Sequence, residues 1–161
     1  MKLLLLLLFA SGTCQANCWQ LAASDFEIDA ALLKALAWKE SAGRPDAVGP
    51  VLADGNRAIG LMQINTVHLP ALAHFGITMR DLFDACTSVR VGAWVLADCV
   101  QRFGRTWKAV GCYYTGPASR NEVAQAEYVR DVQRYFSVYK QREQAPSGRH
   151  GELAPPVDTG G

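Results

Sequence analysis

Apolar residues recur at intervals of three and four positions along most of this chain, which is the spacing of one face of an α-helix. The alternation of apolar and polar residues that is typical of a half-buried strand is not sustained over any segment. The pattern predicts five helices, over residues 29–43, 66–76, 87–103, 107–114 and 119–141. We therefore expect an all-α fold.

Glycine and capping residues mark the ends of several predicted helices. Gly104 ends the third helix and Gly116 ends the fourth. Ser119, followed three residues later by Glu122, is typical of a capping box at the start of the last helix. Residues 47–59 are rich in Gly, Asp, Asn and Pro and predict a long loop, which in a compact domain is often functional.

The two ends of the chain differ in composition from its middle. Lys2 precedes eight apolar residues, far fewer than the roughly 20 that cross a bilayer. With the small residue Ala16, this start predicts a secretory signal peptide over residues 1–16 and a periplasmic or secreted protein; the alternative is a buried N-terminal helix. Residues 142–161 have three prolines and four glycines and predict a disordered tail, which leaves one domain over residues 17–141.

The charges of the chain are balanced. Its 161 residues include 16 Lys+Arg and 15 Asp+Glu, and half of them are hydrophobic. Loss of the signal peptide removes Lys2 and leaves 15 basic and 15 acidic residues. A domain without net charge is a poor candidate for binding nucleic acid through many phosphates. We expect a monomer with no nucleic-acid partner.

Four of the five cysteines remain once Cys14 leaves with the signal peptide, which in an exported protein predicts two disulfides. Cys86 and Cys99 lie 13 residues apart on one predicted helix, or roughly 20 Å, too far for a bond. Cys99 and Cys112 lie on consecutive helices. The favoured pairing is Cys18–Cys86 with Cys99–Cys112, and a zinc site from the same residues is disfavoured because no C-x-x-C pair is present.

Glu40 is a carboxylate on the apolar face of the first predicted helix. It lies four residues after Leu36 and seven after Leu33, so it continues the stripe that faces the core. Burial disfavours the charged form of a carboxylate and raises its pKa, as a general acid requires. The alternative is a glutamate at a frayed helix end that turns into solvent.

Two further segments combine polar and aromatic side chains. Residues 60–64 are an apolar strip that carries one amide, Gln63, and residues 111–116 place Tyr113 and Tyr114 between glycines. Each feature alone is also expected of a helix cap or an ordinary core. Together they supply the donors, acceptors and aromatic faces that suit a sugar.

The sequences Trp38-Lys39-Glu40-Ser41 and Gly60-Leu61-Met62-Gln63-Ile64, at this spacing, resemble the Slt-type lytic transglycosylases. The resemblance extends over residues 18–139 and is strongest to the small exported members encoded with type III and type IV secretion systems. It implies a lysozyme-like fold of the goose-type or Slt catalytic class, with a substrate cleft.

The resemblance also implies roles for individual residues. Glu40 would be the catalytic acid and base. The residues expected to bind substrate are Ser41, Gly60, Leu61, Met62, Gln63, Tyr113, Tyr114 and Tyr128. The family's third motif usually reads Ala-Tyr-Asn-x-Gly, whereas this chain has Cys112-Tyr113-Tyr114-Thr115-Gly116, so that Tyr114 replaces the asparagine.

The implied reaction is non-hydrolytic cleavage of the β-1,4 bond between N-acetylmuramic acid and N-acetylglucosamine in peptidoglycan, with a 1,6-anhydro product and no metal or other cofactor. The expected partners are glycan strands and components of a secretion apparatus. Two alternatives remain open. One is a lysozyme-type hydrolase that uses Asp46 or Asp54 as its base. The other is a non-catalytic wall-binding factor for secretion assembly.

Overall fold

The computed structural model describes residues 13–145 of the chain. Its helices are α1 (Thr13–Phe26), α2 (Ala30–Ser41), α3 (Leu69–Ala73), α4 (Ala85–Phe103), α5 (Trp107–Thr115) and α6 (Glu122–Gln144). Two short strands, β1 (Ala58–Ile59) and β2 (Ile64–Asn65), lie between α2 and α3, and 3-10 turns occupy Thr66–His68 and Asp81–Phe83. Within this part of the chain the fold is all-α apart from the one small hairpin.

The first helix, α1, was not predicted from the sequence. It contributes Trp19 and Ala22 to the core, with Ala23 and Phe26 packed against it. These positions have helical spacing, but two of them are alanines, so the apolar stripe is weak. The expected processing site after Ala16 lies in the first turn of α1, and residues 1–12 of the predicted signal peptide lie outside the described residues.

The hairpin was also missed. Ala58 pairs with Asn65 and Ile59 pairs with Ile64, and an isolated bridge joins Val48 to Ile59. Strands of two residues are too short to show alternation, which is why the pattern gave no sign of them. The single helix expected over residues 66–76 is instead a 3-10 turn followed by the five-residue α3.

The capping box expected at the start of α6 is wrong. Asn121 is the N-cap, and its Oδ1 accepts a hydrogen bond from the Ala124 N–H at 3.1 Å. The Oγ of Ser119 instead accepts from the Asn121 N–H at 3.2 Å. Helix α6 continues to Gln144, three residues beyond the expected end of the domain at residue 141. The remainder of the predicted tail, residues 146–161, lies outside the described residues.

The core forms where α2 packs against α6 and where α4 packs against α1 and α5. Leu33 and Leu36 of α2, Leu96 of α4 and Val132 of α6 are almost completely buried there. None of the helices within residues 13–145 is long and apolar enough to cross a membrane.

Two disulfides hold α4 to its neighbours. Cys18 of α1 is bonded to Cys86 at the start of α4, and Cys99 of α4 is bonded to Cys112 of α5. This is the pairing that the sequence favoured. The second bond fixes the helix that carries Tyr113 against α4.

The turn between β1 and β2 rests on α4 and on the segment before it. Gly60 has a φ of +78°, and a Cβ at this position would lie 2.0 Å from the carbonyl oxygen of Leu82. Met62 is completely buried and fills the space over Gly92 of α4, where a Cβ would lie within 3.0 Å of its side chain. The hairpin is thereby held in place beside the end of α2.

Candidate active site

Glu40 lies in the last turn of α2. Asp29 caps the start of this helix through a 2.8 Å hydrogen bond from the Ala31 N–H, and Ala42 ends it in the left-handed conformation, with a φ of 53°. The Glu40 side chain is partly buried, and its Oε1 accepts a hydrogen bond from the hydroxyl of Tyr128 on α6. The carboxylate is therefore held in one orientation by a helix that is distant in sequence.

Burial raises the pKa of Glu40 from 4.5 to about 7, although the Tyr128 hydrogen bond and the positive charge of Lys39 lower it. The Lys39 ammonium is itself paired with Asp131 at 2.5 Å. A carboxyl group with a pKa near neutrality can give up and take back a proton at the same pH. The sequence-based expectation of a raised pKa agrees with this arrangement.

The side chain of Glu40 lines a cleft of about 250 Å³. The residues that line it are Glu40, Leu52, Ala58, Gln63, Ile64, Asn65, His68, Val95, Tyr113 and Tyr114. Four of them, Glu40, Gln63, Tyr113 and Tyr114, were predicted from the sequence. The other six come from the loop, the hairpin, the 3-10 turn and α4, and of these only Ile64, the last residue of the Gly60–Ile64 motif, belongs to a motif.

Gln63 occupies a strained position in the hairpin turn. Its φ is +47°, and its amide Nε2 donates to the carbonyl oxygens of Gly60 at 2.9 Å and Ala47 at 3.2 Å. These bonds tie the turn to the loop that follows α2. The side chain lines the cleft in a fixed orientation, which suits a group that positions a ligand.

The two tyrosines of α5 have different environments. Tyr113 donates a 2.7 Å hydrogen bond to the carbonyl oxygen of Met62, and burial raises the pKa of its hydroxyl well above the usual value. Tyr114 is 53% exposed and stacks on the ring of Tyr128, with ring centroids 4.5 Å apart and an interplanar angle of 4°. Tyr114 thus presents an aromatic surface next to the tyrosine that holds Glu40.

Several residues expected to bind substrate do not line the cleft. Ser41 is buried, and its Oγ donates to the carbonyl oxygens of Leu61 at 2.7 Å and Ala37 at 3.1 Å. Leu61 and Met62 have side chains in the core.

Gly60 and Tyr128 also lie outside the cleft lining. Gly60 permits the close approach to Leu82, and Tyr128 is buried behind Glu40. These five residues build and support the site, and their expected contact with the substrate stays a prediction.

Neither aspartate considered as a second carboxylate lines the cleft. Hydrogen bonds from the side chain of Asn56 and from its N–H, the latter to the Asp54 Oδ1 at 3.0 Å, lower the pKa of this exposed carboxyl, and Asp46 is also exposed. Among the residues that the structure describes, Glu40 is the only carboxylate in the cleft lining. Within residues 13–145, no group of three or more His, Cys, Asp or Glu side chains is placed to hold a metal ion.

Replacing Tyr128 by Phe is expected to raise the pKa of Glu40, because the hydrogen bond that favours the charged form is lost while the desolvation remains. In the glycan cleavage that the sequence implies, Glu40 acts first in its protonated form, so the rate falls as the pH rises through this pKa. The alkaline limb of the pH–rate profile of Tyr128→Phe should therefore move to higher pH. Tyr135→Phe, on the same helix but without contact to Glu40, should leave the profile unchanged. An alkaline limb at the same pH in Tyr128→Phe would contradict the assignment.

Comparison of the sequence with known proteins relates this chain to one protein family. The sequence model of the Transglycosylase SLT domain matches residues 17–136. The chain is 38% identical over 126 residues to Invasion protein IagB of Salmonella typhimurium, and this match covers 78% of each of the two chains. It is 34% identical over 133 residues to Protein IpgF of Shigella flexneri, covering 82% of this chain and 87% of that protein. A third relative, the X polypeptide of Escherichia coli strain K12, is 37% identical over 140 residues. That match covers 83% of this chain and 81% of the relative.

A solved structure has the same fold. It is an inactive mutant of the lytic transglycosylase Slt from Pseudomonas aeruginosa, which superposes with a TM-score of 0.65 at 23% identity. The match covers 84% of this chain but only 25% of that longer chain. This likeness confirms the lysozyme-like fold class that the motifs implied.

Proposed function

The chain belongs to the Transglycosylase SLT domain family, and we propose that it is a lytic transglycosylase that cleaves the β-1,4 bond between N-acetylmuramic acid and N-acetylglucosamine in peptidoglycan. The observation that carries this proposal is the state of Glu40: one partly buried carboxyl group, with a pKa near 7, facing a cleft with a tyrosine hydroxyl bonded behind it. A group of this kind can serve as acid and base in turn.

In the first step, protonated Glu40 donates its proton to the glycosidic oxygen. The bond between that oxygen and the muramoyl C1 breaks, and the N-acetylglucosamine side leaves with a free hydroxyl. The carbonyl oxygen of the substrate's own acetamido group stabilises the positive charge at C1. In the second step, the Glu40 carboxylate takes the proton of the muramoyl C6 hydroxyl, whose oxygen bonds to C1. The product is a 1,6-anhydro sugar, and Glu40 is protonated again.

Within residues 13–145, Glu40 is the single carboxylate that lines the cleft, which favours this route over hydrolysis. A two-carboxylate glycosidase needs a second Asp or Glu beside the bond, as nucleophile or as base for water. The exposed positions of Asp46 and Asp54 argue against either in that role. A lytic transglycosylase needs no second carboxylate, because the substrate supplies both the assisting group and the attacking hydroxyl.

We also propose that the protein acts in the periplasm as a monomer and opens the wall locally for a secretion apparatus. The predicted signal peptide and the two disulfides suit an oxidising compartment outside the cytoplasm. The resemblance to small exported family members encoded with secretion systems motivates this role, and one relative is named for invasion, Invasion protein IagB.

The activity can be tested with purified peptidoglycan sacculi. We expect the protein to release soluble glycan fragments from them. A wall-binding assembly factor would instead sediment with the sacculi and release nothing. Such a factor would also support secretion in cells when Glu40 is replaced by Gln, whereas the proposed enzyme would not.

A further inference from the structure

A second cavity borders α5 on the side away from the cleft. Its volume is about 430 Å³, and its walls are α5, the end of α4 and several of residues 116–125; we call it the α5–α6 pocket. Lys108 and Cys112 of α5 face this pocket, whereas Tyr113 and Tyr114 line the cleft. An α-helix turns once in about 3.6 residues, which places these two pairs on opposite faces of α5. The reaction proposed for Glu40 uses no residue of the α5–α6 pocket.

Three charged side chains line the α5–α6 pocket: Lys108, Arg120 and Glu122. All three residues are exposed, and none of them forms an ion pair within residues 13–145. The Lys108 ammonium lies 5.1 Å from the centre of the Phe103 ring, which leaves its charge without an anion. The lining thus carries two positive charges and one negative charge. A complementary ligand has more carboxylates than amino groups.

The walls of the α5–α6 pocket are held in place by bonds between the elements that form it. The Ser119 N–H donates to the carbonyl oxygen of Gly116 at 3.3 Å, which closes the turn between α5 and α6. The Gln125 Nε2 of α6 donates to the Thr115 Oγ1 at 2.7 Å, and the disulfide of Cys112 joins α5 to α4. A cavity that is formed before binding loses little conformational entropy when a ligand enters.

We propose that the α5–α6 pocket binds a short acidic peptide, and that this peptide is the stem peptide attached to N-acetylmuramic acid in peptidoglycan. The choice of peptide rests on the proposed function, because stem peptides belong to the substrate of that reaction. The pocket and the cleft share no lining residue, so a stem peptide can occupy the pocket whether or not a glycan strand fills the cleft. The protein would then hold the wall at two places.

The size and chemistry of the α5–α6 pocket suit such a peptide. Cavities of about 300–1,000 Å³ are typical of small ligands, and this one is large enough for a few amino acids. The planar guanidinium of Arg120 can bind a carboxylate through two hydrogen bonds, and the Lys108 ammonium can bind another. Glu122 can accept from the side-chain amino group of diaminopimelate. Three charges in this ratio fit a peptide with several carboxylates and one amino group.

The test measures binding of a free stem peptide to the wild-type protein by isothermal titration calorimetry. The probe is L-alanyl-γ-D-glutamyl-meso-diaminopimelyl-D-alanine, N-acetylated so that its first residue is uncharged, as it is in the wall. Lys108→Gln and Arg120→Gln keep much of each side chain but remove its charge. Each is expected to weaken the affinity about three- to tenfold, the effect of losing one exposed, hydrogen-bonded ion pair.

Arg80→Gln is the matched control, because Arg80 is exposed and lies outside the pocket lining. It removes the same charge and should leave the affinity unchanged. Urea unfolding should give the same midpoint for all three variants, since the replaced side chains are exposed. No binding by the wild type, or equal affinities in folded Lys108→Gln, Arg120→Gln and Arg80→Gln, would overturn the proposal.

Two further probes identify the ligand and its location. The same peptide with its carboxyl groups converted to amides should bind at least about tenfold more weakly. Glycan strands without peptides should not compete with the tetrapeptide, because they occupy the cleft. Equal binding of the amidated peptide, or competition by these strands, would overturn the proposal. Tighter binding of inorganic phosphate than of the tetrapeptide would also overturn it, and would indicate a phosphate-bearing ligand.

These outcomes separate the α5–α6 pocket from the reaction, because the tetrapeptide contains no glycosidic bond. Anhydro products from sacculi, without tetrapeptide binding, would overturn only the role of the pocket. Tetrapeptide binding that depends on Lys108 and Arg120, in a protein that never cleaves glycan, would overturn only the proposed enzymatic function.

Discussion

Replacing Glu40 by Gln is expected to lower kcat for peptidoglycan cleavage by about 10³-fold, because general acid–base catalysis contributes about 10²–10⁴-fold and no other carboxylate among the described residues lines the cleft. The amide has nearly the same shape as the carboxyl group and can still accept from Tyr128, so the cleft should keep its geometry. The release of soluble fragments from sacculi, measured at substrate saturation, checks the expectation. Retention of more than a tenth of the wild-type rate would contradict the role of Glu40.

The same variant carries its own control for folding. The folded-state pKa of Glu40 lies above its unfolded value, so its contribution to stability is greatest below pH 4.5 and is lost as the pH rises towards 7. Above pH 7 the wild type retains a buried charge that Glu40→Gln lacks. As the pH is raised from 4 to 8, the free energy of unfolding of the variant should therefore increase by about 2–3 kcal/mol relative to that of the wild type. Urea unfolding at the two pH values measures this difference. An inactive variant with this pH-dependent gain has lost chemistry and not structure.

Replacing Gly60 by Ala is expected to destabilise the protein by at least about 3 kcal/mol. The new Cβ would lie 2.0 Å from the carbonyl oxygen of Leu82, a backbone atom that cannot move without displacing the segment before α4. The positive φ of +78° adds about 1–2 kcal/mol of backbone strain for a residue with a side chain. Urea unfolding should show a lower midpoint.

Gly55→Ala separates the two causes. Gly55 has a φ of +82°, but nothing lies within 4 Å of the position that a Cβ would take there. Only the backbone strain therefore applies, and the loss should be about 1–2 kcal/mol. Equal losses for Gly55→Ala and Gly60→Ala would show that the close approach to Leu82 has no energetic importance. A stable Gly60→Ala with weakened glycan binding would instead support the direct binding role that the sequence suggested.

Local chemistry made part of this fold predictable. The stripe through Leu33, Leu36 and Glu40 predicted which face of α2 is turned to the core and singled out the carboxylate on that face. Gly104 and Gly116 marked the ends of α4 and α5, which the structure places at Phe103 and Thr115. These signals are local because a helix buries one face at a fixed spacing and ends where a residue can leave the helical conformation.

The rest of the site depends on contacts that no local pattern encodes. The hydrogen bond between Tyr128 and Glu40 joins residues 88 positions apart. Asn65 and His68 reach the cleft only because a two-residue hairpin turns the chain beside α2, and such strands have no detectable period. The sequence singles out the motif around Gly60 as a sugar-binding segment. In the structure, Gly60 packs against Leu82, Met62 packs against α4 and Leu61 is buried, and these packing contacts are not visible in the local pattern.

The most direct test of the central claim is the mass of the products released from purified peptidoglycan. Attack of the muramoyl C6 oxygen on C1 adds no water to the products, whereas hydrolysis adds one water molecule and leaves a reducing end. We predict fragments that terminate in 1,6-anhydro-N-acetylmuramic acid and that are lost in Glu40→Gln. Fragments that terminate in reducing N-acetylmuramic acid, about 18 mass units heavier and dependent on Glu40, would contradict the account and favour a hydrolase.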